Sequence, residues 1–596
     1  MDSVSKLTGF VASGSVSWMP LPFPDWRGGA CSDWRHEKAV FAVDFQRVNA
    51  ECGIGRSFET CCVSSTRSST HQLIDQDGAL CSLGVNELVQ TSGHGAYVGA
   101  AFTNFVRNPR GEGAINGDIS VGGSLPTYWS TNTGGLSLEV IGRGTYPLPF
   151  VDLHFSGIAT ATLFSLFFEA NSHALAVAGE SWGMDFWACY PESPLAAPDQ
   201  ISLALQTSNS SGVLQNTLSQ PAIIDDQFKR HELKGVLAHA STYAVRPAVI
   251  FGLTNGASYD FVLRLAVPKM CKLDAVEGAE LATNGTFLFD AAGWTTENTI
   301  LVATEGVARM SAFGVNPNAC QSVMTVSGSV YKFRASCNVV INTGTVIPRL
   351  FSGSLTNVVT GSIFGGASTG EVILSGCIQA NSSSTNFYFG AGGSQSVSGV
   401  FDWGDVSVRR VYAGYMPEYP ILPAEGVLMN TVRAADSVLA VKDGAQPFGE
   451  WTAAGLSTGF SVLSELDLAA IAHATEREII SIGSNHENVC RIAIMTSGEV
   501  CAASIFRGDE IREVVSSDAL SASGIVRVAA NFGAHGIELF VTKLGMEAVD
   551  IEGVIPIADT FRIGASIDGT LYLNDFIRQI QVCQPLTSSE ALDWVG

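Results

Sequence analysis

Charge is scarce in this chain of 596 residues. Only 15% are Asp, Glu, Lys or Arg, and 33 basic residues stand against 56 acidic ones, for a net charge of −23. Phosphate backbones are held by clustered Lys and Arg, so this balance excludes a nucleic-acid partner. The densest basic group, Lys229-Arg230-His231 with Lys234, reads as a solvated turn. Long apolar runs are missing as well. The most apolar stretch, Ile158–Ala178, is broken by Glu169, Asn171 and His173. A membrane helix needs about 20 consecutive apolar residues, so no membrane insertion is expected. No basic segment leads into an apolar one at the N-terminus, so no signal peptide is expected either. The 13 cysteines are odd in number and contain no C-x-x-C pair. That excludes a zinc knuckle and a disulfide framework, and the thiols read as small buried hydrophobes. Heptads, collagen triplets and low-complexity tracts are absent.

The usual signatures of catalysis are equally thin. Walker, dinucleotide and H-E-x-x-H motifs do not occur. G-x-S-x-G occurs, for example, at Gly366–Gly370 and Gly455–Gly459. Neither has the strand–turn–helix context a nucleophile elbow needs, and both read as flexible turns. A glycan hydrolase would need two carboxylates roughly 5–10 Å apart. Asp152, Glu169 and Asp185 lie in strand-like runs and are the candidates, with solvent-side strand positions as the plainer reading. His154 and His173 read as sheet or core histidines. No catalytic residue is assigned.

What the chain does have is glycine, 62 residues of it, within a 46% hydrophobic composition. Short alternating runs such as Ser258–Ala266 (SYDFVLRLA) recur between turn signals, which predicts an all-β chain of tandem antiparallel sandwiches. The length calls for about three to five domains. Four regions are expected: an irregular stretch at 1–102, rich in Trp and Pro near its start; a jelly roll at 103–272; a second jelly roll at 276–416; and a last sandwich at 425–596. A proline-rich linker is placed at Pro417–Pro423, and a short terminal helix at Glu590–Trp594 with Ser588 or Ser589 as its cap.

Three motifs carry a resemblance. Thr66–Gly78 (TRSSTHQLIDQDG) followed by Thr103–Ala114 (TNFVRNPRGEGA) resembles a pattern in fibre and spike proteins of tailed bacteriophages. Leu422–Val441 (LPAEGVLMNTVRAADSVLAV) resembles the approach to laminin-G or concanavalin-like domains in the same proteins. Gly278–Trp294 (GAELATNGTFLFDAAGW), paired with Phe401–Val411 (FDWGDVSVRRV), resembles carbohydrate-binding-module-like jelly rolls. The resemblance implies a virion protein assembled in the bacterial cytoplasm, a peripheral fibre or spike that binds host surface polysaccharide. It also implies attachment to other virion proteins through residues 1–102, and a homotrimer. The alternatives are a head-decoration protein without a glycan site and a glycan-degrading tailspike.

For glycan binding, aromatic rings stack on pyranose C–H groups while polar side chains read hydroxyls. Tyr388, Tyr128, Trp451 and Tyr572 are the candidates. Trp129 and Trp294 are expected in the core. The jelly-roll resemblance implies a structural calcium, with Asp405 and Asp290 as its carboxylates.

Overall fold

The computed structural model describes residues 99–342 without a break, and most of 39–98 and 347–595. Residues 1–38, 361–368, 442–458 and 551–559 are among those outside the description. The described chain is nearly all antiparallel β-strand, with a single helix at Ser588–Val595. No helix is long and apolar enough to cross a membrane among the described residues.

The first sandwich pairs a six-stranded sheet centred on Phe150–Ile158, Ser258–Leu273 and Ser181–Cys189 with one centred on Ala244–Gly252 and Gln200–Ser208. Alternation sets its core. Val151, Leu153 and Phe155 point inward against Phe261, Leu263 and Leu265, as the period-2 geometry of a strand requires. Phe155 lies 5.0 Å from Phe261, and Phe164 stacks on Phe251 at 4.2 Å. The basic group Lys229–Lys234 is not a turn. It belongs to an edge strand, Lys229–Val236, because Arg230 and Glu232 sit opposite Trp187 and Asp185. Ala238–Tyr243, strand-like in sequence, is instead the connection into Ala244–Gly252.

The second sandwich opens at Ala275–Glu280 and closes at Val397–Ala413, which pair with each other. One sheet contains Thr299–Thr304, Val307–Gly314, Val397–Ala413, Val330–Asn342 and Gly370–Gln379. The other contains Thr295–Glu297, Asn318–Met324, Ser384–Gly392, Ile347–Ser352 and Val358–Thr360. Between them lie Phe287, Trp294, Phe333, Phe387, Phe389 and Trp403.

The third sandwich is made from both halves of the chain. Ala39–Asp44 pairs with Asp575–Cys583, placing Phe41 opposite Val582 and Val43 opposite Ile580. Cys62–Thr66 pairs with Ser437–Val441. The expected separate region at 1–102 is therefore corrected over much of its described part: Ala39–Asp44, Asn49–Ile54, Ser57–Thr60, Val89–Thr91 and Gly95–Val98 join one sheet of the C-terminal sandwich and Cys62–Thr66 the other, while His71–Ile74 and Leu80–Leu83 pair with each other. The pairing spans more than 500 residues of sequence, so no local pattern could reveal it. The attachment role is expected of residues 1–102, of which 1–38 lie outside the described residues.

The terminal helix follows a capping box different from the one expected. Thr587 is the cap: its Oγ1 accepts from Glu590 N at 3.3 Å, and Glu590 Oε2 accepts from Thr587 N at 2.7 Å.

Candidate functional site

The first two of the motifs that carried the resemblance meet at one buried junction. Arg67, of the TRSST segment, donates to Asp436 Oδ1 at 3.1 Å, and both side chains are at most 2% exposed. Arg433, of the RAAD segment, donates to Asp436 Oδ2, to Gly99 O at 2.8 Å and to Ala100 O at 2.9 Å. Its Nε also donates to His71 Nδ1 at 3.1 Å. Burial, with the two arginines beside it, holds the His71 imidazole well below its ordinary pKa, so the ring stays neutral. Asn104, of the TN segment, donates to Ile421 O at 2.9 Å and accepts from Val106 N and Met270 N, each at 3.0 Å.

The NPRGEGA segment is a tight turn fixed from within. Asn108 Nδ2 donates to Glu112 O at 2.8 Å and to Thr127 O at 2.9 Å. Gly111 has φ +70°, and a Cβ there would stand 2.4 Å from Val151 Cγ2, so only glycine fits. The expected linker at Pro417–Pro423 is likewise packed rather than free. Lys269, 2% exposed, donates to Pro417 O and to Tyr419 O, and Arg110 donates to Pro423 O at 2.8 Å. A buried ammonium seeks carbonyls and a carboxylate, here Asp185 at 3.2 Å. These motifs are legible because they hold domains together, not because they form a site.

The three candidate carboxylates are each occupied by a cation. Asp152 and Arg264 form a bidentate pair at 2.8 Å for both bonds. Asp185 binds Arg230 at 2.6 Å as well as Lys269. Glu169, fully buried, binds Arg107 through both carboxylate oxygens. These are fixed ion pairs on sheet faces and at a turn.

The four aromatic candidates are dispersed. Tyr128 is exposed, at φ 73°, but one ring face is covered by the Arg107 guanidinium at 3.5 Å. Tyr572 is half-buried against the C-terminal core, and burial raises its hydroxyl pKa. Trp451 lies outside the described residues. Trp129 and Trp294 are buried. Tyr388 stands on the outer face of its sheet, since Phe387 and Phe389 on either side are in the core. It is half-buried and stacks on Phe351 of the neighbouring strand, with ring centroids 4.7 Å apart and planes 3° from parallel. Around this pair the sheet is polar: Thr295 and Cys320 continue its row, and Asn386 donates to the Tyr388 hydroxyl at 3.4 Å.

The two carboxylates expected to hold calcium, Asp290 and Asp405, lie in different settings. Asp290 Oδ1 accepts from Asn284 Nδ2 at 2.7 Å and from Ala292 N at 3.0 Å, the bonding of a turn cap. No group of three or more His, Cys, Asp or Glu that could hold a metal occurs among the described residues. Asp405 instead lines a groove of about 500 Å³ on the opposite sheet from Tyr388, together with Asn284, Thr286, Arg334, Ser336 and Arg409. Sequence reading missed this groove. Its one visible trace was Asp405, because the floor depends on a strand irregularity that only pairing exposes.

No protein-family model matches the chain, and no curated protein matches it. Among solved structures, it is similar to the CBM40 module of a Ruminococcus gnavus IT-sialidase, at 14% identity and TM-score 0.21 over 27% of this chain and 96% of the module. The tandem CBM22 modules of Paenibacillus barcinonensis Xyn10C align at 10% identity and TM-score 0.18 over 50% of this chain and 99% of theirs. Mouse laminin α1 domains LG4-5 align at 11% identity and TM-score 0.17 over 52% of this chain and 94% of theirs.

Proposed function

We propose that this chain is a glycan-binding attachment protein of a tailed phage or phage-like particle, carrying surface polysaccharide on the outer faces of its sandwiches. The observation that carries this reading is Tyr388, partly exposed on the outer face of its sheet and held flat by its stack on the buried Phe351. A ring fixed in this way offers apolar area to sugar C–H groups, while Asn386, beside it, can meet hydroxyls. The fixed Asp152, Glu169 and Asp185 ion pairs favour binding over hydrolysis. The virion assignment rests on the sequence motifs, and a homotrimer would multiply weak sites into avidity.

The test is a titration of the full chain with purified polysaccharide from a bacterial host surface, beside Tyr388→Ala. The reading requires wild-type binding that falls at least ~10-fold in the variant, with the melting temperature held. Release of reducing sugar during the same incubation would instead support the glycan-degrading alternative.

A further inference from the structure

We propose that the groove beneath Asp405 is a second saccharide subsite, one that takes a neutral, hydroxyl-rich ligand. This rests on the reading of residues 275–413 as a glycan-binding sandwich, but the groove lies on the sheet opposite Tyr388 and is built independently.

The groove is made by a bulge. In the pairing of Val330–Asn342 with Val397–Ala413, the register slips between Arg334 and Ser336, which face Ser407 and Gly404. Asp405 and Val406 are left over, and Asp405 adopts φ 50°. Bulges bend a strand and re-aim its side chains, and non-glycine residues with positive φ gather at functional sites. The adjoining wall is pressed close: Val406 N donates to Gly285 O at 3.1 Å, and a Cβ on Gly285 would fall 1.9 Å from Val406 O. Asn284, at φ 54°, continues that wall.

The lining is polar and balanced in sign. Arg334 and Arg409 supply guanidinium donors, and Glu280 and Asp405 supply carboxylates. Arg334 already binds Glu277 at 2.9 Å, and Arg409 binds Glu280 at 3.2 Å. An anionic ligand would have to compete with those carboxylates. A sugar hydroxyl donates and accepts at once, so it can join such pairs without breaking them. Apolar contact is at hand too. Ile373, in the lining, is 76% exposed. A volume of about 500 Å³ falls within the range of small-ligand sites, roughly 300–1,000 Å³.

The experiment probes the full chain with cello-, xylo-, malto- and mannohexaose, and with sialyllactose as the anionic comparison. Arg334→Ala and Ile373→Asp are the groove variants. The second sits at an exposed position where folding is not at stake. The proposal expects at least one neutral hexaose to bind, both variants to weaken it ~10-fold or more, and Tyr388→Ala to leave that component in place. Three results would overturn it: no hexaose binds, sialyllactose binds in preference, or the groove variants bind as wild type. Neutral binding lost only in Tyr388→Ala would sink the groove while sparing the aromatic platform, and the converse would spare the groove.

Discussion

The junction and the groove are built from the same parts. Each sets two arginines against carboxylates, and they differ in water. At the junction Arg67, Arg433 and Asp436 are at most 2% exposed, and Asp436 also accepts from Gly99 N at 3.0 Å. In the groove the side chains of Arg334, Arg409 and their glutamate partners are 27–41% exposed. A buried charge depends wholly on its partner, so removing that partner is costly. An exposed pair is worth little to stability, and its remaining donors stay available to a ligand. The same chemistry thus locks domains in one place and leaves a surface open in the other.

The largest effect that would break this contrast is Asp436→Ala. It strands Arg67 and Arg433 in the junction and should cost about 3–5 kcal/mol, read by denaturant unfolding. A loss below about 1 kcal/mol would mean the junction is wet. Next comes Phe155→Ala in the first sandwich, expected to cost about 3–5 kcal/mol through its cavity. It should leave the glycan binding proposed for the second sandwich intact, which separates folding of one unit from the proposed function of the other.

Acid should sharpen the comparison. His71 is held well below the ordinary histidine pKa by burial and by two arginines. The unfolded chain takes up a proton near pH 6.5 that the folded chain refuses. Stability from this group is therefore full above about pH 6.5 and declines as pH falls below it, by up to about 1.4 kcal/mol per pH unit. Glu478 runs the other way. Burial raises its carboxyl to about 7 against the attractions of Arg491 and Ser481, so the folded chain holds a proton that the unfolded chain has lost. Its contribution is present below about pH 4.5 and is lost as pH rises to about 7. Unfolding of His71→Gln and Glu478→Gln between pH 4.5 and 7 should flatten the two slopes in opposite senses. Parallel changes would show that neither group governs its region. The smallest expected effect is Arg334→Ala on stability, within about 0.5 kcal/mol, since its pair is exposed; thermal unfolding checks it.

Legibility followed sequence distance. The first sandwich is contiguous, and alternation at 150–155 and 258–266 marks strands that pair with each other within about 120 residues. The C-terminal sandwich could not be completed from its own stretch, because Ala39–Asp44 and Cys62–Thr66 arrive from the other end of the chain. Motif reading found Arg67, Asn104, Arg433 and Asp436 but assigned no contact among them. Lys229–Val236 was misread because charged residues on an edge strand look like a turn when the partner of Arg230, Asp185 on the neighbouring strand, is unseen. Tyr388 was found by alternation, whereas Phe351, its stacking partner, carries no local signal. The groove needed the bulge, and a bulge is a property of two strands.

The most direct measurement is calorimetric titration of the full chain with purified polysaccharide from a bacterial host surface, beside a Tyr388→Ala, Arg334→Ala double variant. The proposed function predicts saturable binding by the wild type and at least ~100-fold weakening in the double variant, with unfolding unchanged. Wild-type binding that survives in the double variant, or no binding by either, would contradict glycan recognition by the outer faces of the second sandwich.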